Sequence, residues 1–180
     1  PCAACHGKDG ISERPEYPSL AGLPEAYLRD ATRAYFKGGR KDRYMAMFKA
    51  LTDREIGNLA AYYSTLKPRR LPLPVVGNAA AGKAKSAGCA GCHGADGNSL
   101  NPTLPSLTGQ SSQYLAKATA DYRDGRRRSA LMKGAVARLS DRDIQDLAAY
   151  YASQTAVKTG LRLARPGKDP LAEGAYLAAS

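Results

Sequence analysis

The stretch GCAGCHGADGNS, residues 88–99, repeats almost letter for letter the stretch PCAACHGKDGIS, residues 1–12. Both contain the pattern Cys-x-x-Cys-His. The chain of 180 residues has four cysteines and two histidines, and the two patterns contain all of them. They are Cys2, Cys5, His6, Cys89, Cys92 and His93. Any chemistry that needs a thiol or an imidazole is therefore present twice, at two related places in the chain.

The similarity between the two halves extends far beyond these motifs. At one constant offset, PSLAG beginning at Pro18 matches PSLTG beginning at Pro105, and Met45 matches Met132. After one extra residue in the second copy, LTDREIGNLAAYY matches LSDRDIQDLAAYY. Each copy is much longer than the repeats of solenoid proteins, so we predict that each folds as a compact domain.

The repeat also predicts the domain boundaries. We predict a first domain over residues 1–66, a proline-rich linker over 67–78 and a second domain over 79–155. A tail over 156–180 follows, and its last part, DPLAEGAYLAAS at 169–180, is a candidate helix with Asp as its cap and Pro at its first position.

The two copies differ at their beginnings. The second opens with NAAAGKAKSAG at 78–88, which predicts a helix leading into its motif, whereas the first has only Pro1 before its motif. One hypothesis is that the tail helix begins a third copy of the repeated domain near Asp169 in a longer chain. Another is that the tail docks as the lost first helix, with Ser180 near Pro1. The third is an ordinary exposed extension.

Hydrophobic periodicity predicts an all-α fold. Apolar residues recur at helical spacing in the closing segment of each copy, and alternating strand patterns are absent. In the second copy this stripe comprises Ile144, Leu147, Ala148 and Tyr151. Ser140 and Thr52 are the predicted N-caps of the two closing helices. Further helices are predicted over 24–37 and 111–124. The fold class is therefore two tandem all-α domains related by internal duplication.

The inventory of core-forming side chains is thin. There is no tryptophan, there are only two phenylalanines, and much of the 43% hydrophobic fraction is alanine. Small domains with little to bury usually need a staple, a metal or a bound group. No apolar run reaches the roughly 18 residues of a transmembrane helix. We therefore expect no transmembrane segment, which leaves peripheral membrane association open.

The chain is strongly basic, with a formal net charge of +11. Such a charge favours electrostatic docking to an acidic partner. Nucleic acid is a second class of acidic partner, but no nucleic-acid-binding motif accompanies the charge. We therefore expect a protein partner with an acidic docking surface, and no nucleic acid.

Four chemistries use paired cysteines. Disulfide scaffolds have scattered cysteines, and a structural zinc site would have to join motifs that lie in separate domains. A thioredoxin-like redox motif follows a strand, whereas the residues before Cys89 predict a helix. Covalent haem attachment explains every position, because the cysteines form thioethers and the adjacent histidine becomes an axial ligand. We therefore predict two covalently bound haem c groups, which also supply the missing hydrophobic mass.

The second axial ligand is predicted by elimination. Both histidines are used, and a methionine thioether is the next natural ligand of cytochrome iron. Met45 and Met132 follow His6 and His93 at equal spacing, which predicts one His/Met pair in each domain. Met47 is the runner-up to Met45, and lysine ligation or an open site are further alternatives.

Two more pairs of residues are candidate contacts of the haem groups. Pro18 and Pro105 follow the two histidines at equal spacing, and each offers a carbonyl without an N–H. An axial histidine needs such an acceptor for its other ring N–H, although a plain loop proline is an equal alternative. Arg40 and Arg127 lie in basic clusters beside the predicted methionine loops and are candidate contacts of haem propionates. The alternative is that each arginine belongs to a solvent-exposed loop and contacts no haem.

With these features the chain resembles the dihaem cytochrome c4 family over roughly residues 1–155. The resemblance rests on the two haem motifs, the PSLxG loops, the Tyr-Leu helices, the methionine loops and the closing helices. It implies two class I cytochrome c folds, His/Met ligation at both irons and haems that face one another across a pseudo-twofold interface. It also implies electron carriage in the periplasm, and it favours Pro18 and Pro105 as acceptors of the histidine N–H groups.

We expect an electron-transfer protein rather than an enzyme, because filled axial positions leave no place for a substrate on the iron, and we expect no catalytic residue. The expected partners are redox proteins such as a terminal oxidase, a cytochrome bc1-type complex or a dehydrogenase. One alternative is a haem enzyme of the peroxidase or thiosulfate-oxidising type, with an open or displaceable axial site. Another is the cytochrome subunit of a dehydrogenase complex.

Overall fold

The computed structural model describes residues 2–158 and 169–179. Within these ranges the regular structure is helical apart from one isolated β-bridge between Arg40 and Arg127, so the all-α prediction is confirmed. The first half contains α1 (Ala3–His6), α2 (Glu25–Phe36), a 3₁₀ helix (Met45–Phe48) and α3 (Asp53–Thr65). The second half contains α4 (Ala79–Lys85), α5 (Ala87–His93), α6 (Ser112–Arg123), α7 (Ala130–Val136) and α8 (Asp141–Ser153). The tail contains α9 (Pro170–Ala179).

The closing helices α3 and α8 begin at the predicted caps. The Thr52 hydroxyl accepts a hydrogen bond from the backbone N–H of Glu55, whose carboxylate accepts one from the N–H of Thr52 at 2.7 Å. Ser140 and Asp143 form the same reciprocal pair of bonds in α8. Each reciprocal pair is a capping box. It provides an acceptor for two backbone N–H groups, including one in the first helical turn that has no partner within the helix.

Each half buries its own core around its closing helix. In the second half α8 packs against α4 and α6, and in the first half α3 packs against α2 and α9. The stripe predicted for α8 is buried throughout. The first core comprises Leu23, Leu28, Leu59, Ala60, Tyr63 and Ala178, and the second comprises Leu115, Leu147, Ala148, Tyr150, Tyr151 and Ala152.

The tail helix α9 takes in the first half the place that α4 takes in the second. Helix α4 meets α8 at Gly82, where an added Cβ would lie 1.9 Å from the carbonyl oxygen of Asp146. Helix α9 meets α3 at Gly174, where an added Cβ would lie 2.2 Å from the carbonyl oxygen of Asn58. Asn58 and Asp146 are equivalent positions of the repeat. Both crossings therefore depend on glycine for close backbone approach.

This arrangement is the one expected if the tail docks as the missing first helix. An ion pair between Arg54 and Glu173, at 3.3 Å, adds a contact between α3 and α9. The predicted approach of Ser180 to Pro1 lies outside the described residues, as does the middle of the tail. The domain boundaries stay predictions.

The segment between the two halves runs without helix from Leu66 to Asn78 and is tied to the second half. The backbone N–H of Val76 donates to the Ser112 hydroxyl at 3.0 Å, and that of Asn78 donates to the Asp146 carboxylate at 2.9 Å. Across the described ranges, no helix has the length and apolarity to cross a bilayer.

The two glycine crossings give a test of the fold. We expect Gly174→Ala and Gly82→Ala each to destabilise the haem-loaded protein by about 1–3 kcal/mol, because the new methyl group meets backbone that cannot move aside. Urea midpoints followed by circular dichroism measure this. Gly134→Ala in α7 is the matched control, since an added Cβ there meets nothing within 4 Å. Equal midpoints for Gly174→Ala and Gly134→Ala would contradict the docking of α9.

Candidate functional site

Each Cys-x-x-Cys-His motif ends a helix with its histidine. His6 is the last residue of α1 and His93 the last of α5. Gly7 and Gly94 follow with φ of 79° and 84°, so the chain turns away sharply at once. This left-handed conformation favours glycine. At Gly7 a Cβ would also lie 2.0 Å from the carbonyl oxygen of Ile11. The turn buries both imidazole rings, which are 8% and 6% exposed.

A proline carbonyl receives the Nδ1–H of each histidine. The distance is 2.8 Å from His6 Nδ1 to the Pro18 oxygen and 2.8 Å from His93 Nδ1 to the Pro105 oxygen. A carbonyl can only accept, so the proton lies on Nδ1 and the lone pair on Nε2 is left free. Burial lowers the pKa of both histidines, which keeps the rings neutral. A neutral imidazole with a free Nε2 is the form that binds a metal.

Two serines that the sequence reasoning did not name hold the proline loops against the motifs. The Ser12 hydroxyl donates to the Cys5 carbonyl at 2.9 Å, and the backbone N–H of Ser12 donates to the Ser19 hydroxyl at 3.2 Å. Ser99 makes the corresponding bonds to Cys92 and to Ser106. The signal was present in the repeat, because each motif is followed by a serine at the same distance.

The four cysteines all lie in the described ranges, and none forms a disulfide. Burial raises the pKa of Cys2 and Cys89, while Cys92 is exposed. Nowhere in the described part of the chain do three or more His, Cys, Asp or Glu side chains form a group that could hold a metal ion.

A cavity of about 330 Å³ lies between the halves and is lined by both. Its wall contains Cys2 and Cys5, both histidines, Met45 and Met132. Met47, the alternative to Met45, points away and is 75% exposed. The structure thus brings together one thiol pair, two neutral imidazoles and two thioethers around a largely apolar space. This donor set suits haem c, which needs thiols for attachment, nitrogen and sulfur ligands for iron and apolar walls for the porphyrin.

Arg40 and Arg127, the candidate propionate contacts, meet where the two halves touch. They form the isolated bridge and are 9% and 7% exposed. Arg40 donates to the hydroxyls of Tyr27 at 3.1 Å and Tyr122 at 3.3 Å, and Arg127 donates to that of Tyr114 at 3.1 Å. Each guanidinium also lies over tyrosine rings. Sequence reasoning missed these phenols, although Tyr27 and Tyr114 are equivalent in the repeat.

One carboxylate makes the arginine site asymmetric. Asp121, which is buried, accepts hydrogen bonds from Lys117 at 2.7 Å and Arg126 at 2.6 Å and lies 3.8 Å from Arg127. Burial raises the pKa of Asp121, but the bonds from Lys117 and Arg126 outweigh it and lower the pKa overall. The equivalent residue of the first half is Ala34, so the first half lacks this counter-ion.

Polar contacts tie the PSL loop of the first half to the second half. Gln110 Oε1 accepts a hydrogen bond from the backbone N–H of Ser19 at 2.9 Å, and Gln110 Nε2 donates to the Ser19 carbonyl at 2.7 Å. The Ser111 hydroxyl donates to the Pro15 carbonyl next to this clamp. Two buried bonds from one amide fix the loop that orients His6 against the other half of the molecule.

The Asp121 cluster predicts a pH-dependent stability. We expect Asp121→Asn to destabilise the protein by about 1–3 kcal/mol near neutral pH, because charge-assisted hydrogen bonds are lost at a buried position. The folded pKa of Asp121 lies below its unfolded value of about 4, so this contribution is complete above that value. It is lost as the pH falls through the folded pKa, and the gap between wild type and variant should narrow in acid.

Urea midpoints measured from neutral to acid pH test this prediction. Asp53→Asn is the control, because Asp53 is exposed and its ion pair with Arg33 is screened by solvent. A gap that stays constant as the solution is acidified would contradict the role given to Asp121.

Comparison with known proteins adds an independent line of evidence. The sequence profile of the family described as cytochrome c matches residues 1–67 and 79–155. Cytochrome c4 of Pseudomonas aeruginosa is 48% identical over 165 residues, which cover 83% of this chain and 81% of that protein. A protein of Thiomonas intermedia named thiosulfate dehydrogenase electron acceptor is 34% identical over 169 residues, covering 85% of this chain and 78% of that protein.

Solved structures give the same result. Reduced recombinant cytochrome c4 from Pseudomonas stutzeri superposes with a TM-score of 0.75 at 32% identity, covering 85% of this chain and 93% of that chain. Thiosulfate dehydrogenase from Marichromatium purpuratum superposes with a TM-score of 0.77 at 33% identity, covering 85% of this chain but 36% of that chain. The predicted pair of tandem cytochrome c domains is confirmed.

Proposed function

Since this chain belongs to the cytochrome c family and is similar to its dihaem c4 members over both halves, we propose that it carries electrons between periplasmic redox partners through two His/Met-ligated haem groups. It is a dihaem electron-transfer cytochrome with two covalently bound haem c groups. One observation is the main support for His/Met ligation of both irons. Two buried imidazoles, each fixed by a proline carbonyl, share one cavity wall with Met45 and Met132.

The chain's own residues do the binding and the orienting. Cys2 and Cys5 attach one haem through thioethers, and Cys89 and Cys92 attach the other. His6 and His93 are the nitrogen ligands, and Met45 and Met132 are the sulfur ligands. Each haem iron, when bound, supplies a one-electron ferric/ferrous couple. Met45 is half-buried and lines the cavity, whereas Met47 is exposed, and this is the reason to assign Met45 as the ligand of the first half.

Pro18 and Pro105 orient the histidines by accepting the Nδ1–H bonds. Arg40 and Arg127 line the cavity as buried cations, and this position suits contacts with haem propionates. Their tyrosine partners hold the guanidinium groups in place through hydrogen bonds and stacking. If a histidine and a methionine hold each iron, no coordination site would be left for a substrate, which favours electron carriage over catalysis at the haem.

The partners are redox proteins that present an acidic surface. The formal net charge of +11 favours electrostatic steering toward such a surface. A terminal oxidase, a cytochrome bc1-type complex and a periplasmic dehydrogenase all belong to this class. Association steered by charge weakens as salt screens it, so electron transfer to this protein should slow as ionic strength rises.

Substitution of each methionine tests the proposed ligands. We expect Met45→Leu and Met132→Leu each to remove about half of the Met–iron charge-transfer absorption of the ferric protein, because leucine cannot bind iron. The double variant should remove all of it. Met47→Leu is the matched control, two residues from Met45, and should leave the band intact. A full band in Met45→Leu together with a halved band in Met47→Leu would reverse the assignment, and a full band in Met132→Leu would contradict the ligand of the second half.

A second candidate function is that of electron acceptor from a thiosulfate dehydrogenase. It is supported by the Thiomonas intermedia relative and by the structural match to thiosulfate dehydrogenase. We expect the ferric protein to be reduced when it is mixed with thiosulfate and such a dehydrogenase, and to stay oxidised with thiosulfate alone. The haem absorption bands measure the reduction. If only another dehydrogenase with its own substrate reduces the protein, the general carrier role stands and this candidate fails.

A further inference from the structure

One peptide group in the first half is hydrogen-bonded at both ends. Its carbonyl, on Pro18, accepts the Nδ1–H of His6 at 2.8 Å, and its N–H, on Ser19, donates to Gln110 Oε1 at 2.9 Å. The amide nitrogen of Gln110 then donates to the Ser19 carbonyl at 2.7 Å. Ser19 and Gln110 are 7% and 6% exposed, so water does not compete for these groups. A continuous chain of hydrogen bonds runs from the second half of the molecule to the imidazole of the first.

Among the described residues of the second half, no such chain of hydrogen bonds is present. The position equivalent to Gln110 is Leu23, and the peptide equivalent to that of Pro18 joins Pro105 to Ser106. Leu23 carries no polar atom in its side chain and packs into the first hydrophobic core. The His93–Pro105 bond has the same 2.8 Å length as its counterpart. The two Nδ1–oxygen distances are therefore equal, and the two histidines differ in what is hydrogen-bonded to the far side of the acceptor peptide.

A hydrogen bond to the N–H of a peptide strengthens the acceptor at its other end. Donation from Ser19 N–H to Gln110 shifts electron density toward the Pro18 oxygen, because the two groups share one conjugated amide. A more negative oxygen pulls harder on the Nδ1 proton of His6. The imidazole then gains anionic character and donates more strongly through Nε2 to a bound metal. Stronger donation favours the ferric over the ferrous state.

We propose that Gln110 is a positioning residue that lowers the reduction potential of the first-half haem relative to the second, acting across the domain interface through the Pro18–Ser19 peptide. This inference rests on the proposed function, in which His6 is an axial ligand. The effect of Gln110 would give the two haems different reduction potentials although their binding motifs are of the same type. It also makes the potential of one haem depend on how the two halves are docked.

The test is a redox titration of the haem-loaded Gln110→Leu variant, which places at 110 the residue found at the equivalent position 23. One hydrogen bond in a chain strengthens its neighbour by roughly 10–30%, so we expect the ferric-to-ferrous ratio of one haem at a fixed potential to fall by about twofold. The other midpoint should stay unchanged. Ser111→Ala is the control, because it removes a neighbouring interdomain contact without touching the Pro18–Ser19 peptide.

Proton NMR of the ferrous protein gives a second readout that loss of interdomain packing would not produce. In wild type the Nδ1–H of His6 should resonate further downfield than that of His93, and in Gln110→Leu this difference should disappear. The wild-type comparison needs no variant, so it decides the matter even if Gln110→Leu folds poorly. Midpoints that move together, midpoints that do not move, an equal shift in Ser111→Ala, or equal wild-type resonances would each overturn the inference.

The optical spectrum separates this failure from failure of the proposed function. If the wild-type protein lacks the Met–iron charge-transfer band, the assignment of His/Met ligation fails before Gln110 is considered. If the band is present and the Gln110→Leu midpoints are those of wild type, only the role of Gln110 fails.

Discussion

The whole site depends on satisfying a buried imidazole on one side while leaving its other nitrogen free. A ring enclosed by apolar walls cannot leave its Nδ1–H unpaired without a cost of about 1–3 kcal/mol. The Pro18 carbonyl meets this need for His6. It can do so because Gly7 turns the chain out of α1 and Ser12 ties the returning loop to the motif. The short α1, the glycine turn and the loop therefore act together to direct the free Nε2 lone pair of His6 toward the cavity.

Duplication gives the molecule two such histidine–proline arrangements, and the interface between the halves gives them different surroundings. The two histidines have the same carbonyl distance, similar burial and the same direction of pKa shift. The differences lie in the residues that surround these bonds. The second half has Gln110 and Asp121 at the repeat positions where the first half has Leu23 and Ala34. Two identical folds can therefore hold two chemically distinct environments. Under the proposed function, such a difference would give an electron a preferred direction between two sites of the same type.

Sequence reasoning identified the local features and, through the repeat, raised the docking of the tail helix as a hypothesis, but it missed the hydrogen bonds between the two halves. The helices, the capping boxes and the histidine–proline pairing depend on residues close in sequence, and the repeat showed each of them twice. Equal spacing in the repeat already favoured Met45 over Met47, and the exposure of Met47 in the 3₁₀ helix supports that prediction. The two hydrogen bonds between Gln110 and Ser19 join opposite halves, so no repeated pattern in the sequence could predict them. Their one trace in the sequence is a polar residue where the other copy has Leu23.

Arg40 links the folding of the interface to the group that the cavity holds. It is buried, and its guanidinium is hydrogen-bonded to the hydroxyls of Tyr27 and Tyr122, with no carboxylate within ion-pair distance in the described ranges. A buried cation with only neutral partners is costly unless a counter-charge is close. Arg127 obtains that charge from Asp121 at 3.8 Å, but Arg40 obtains none from the described residues. Under the proposed function the haem carboxylates supply it, so binding of the cofactor and closure of the interface stabilise one another.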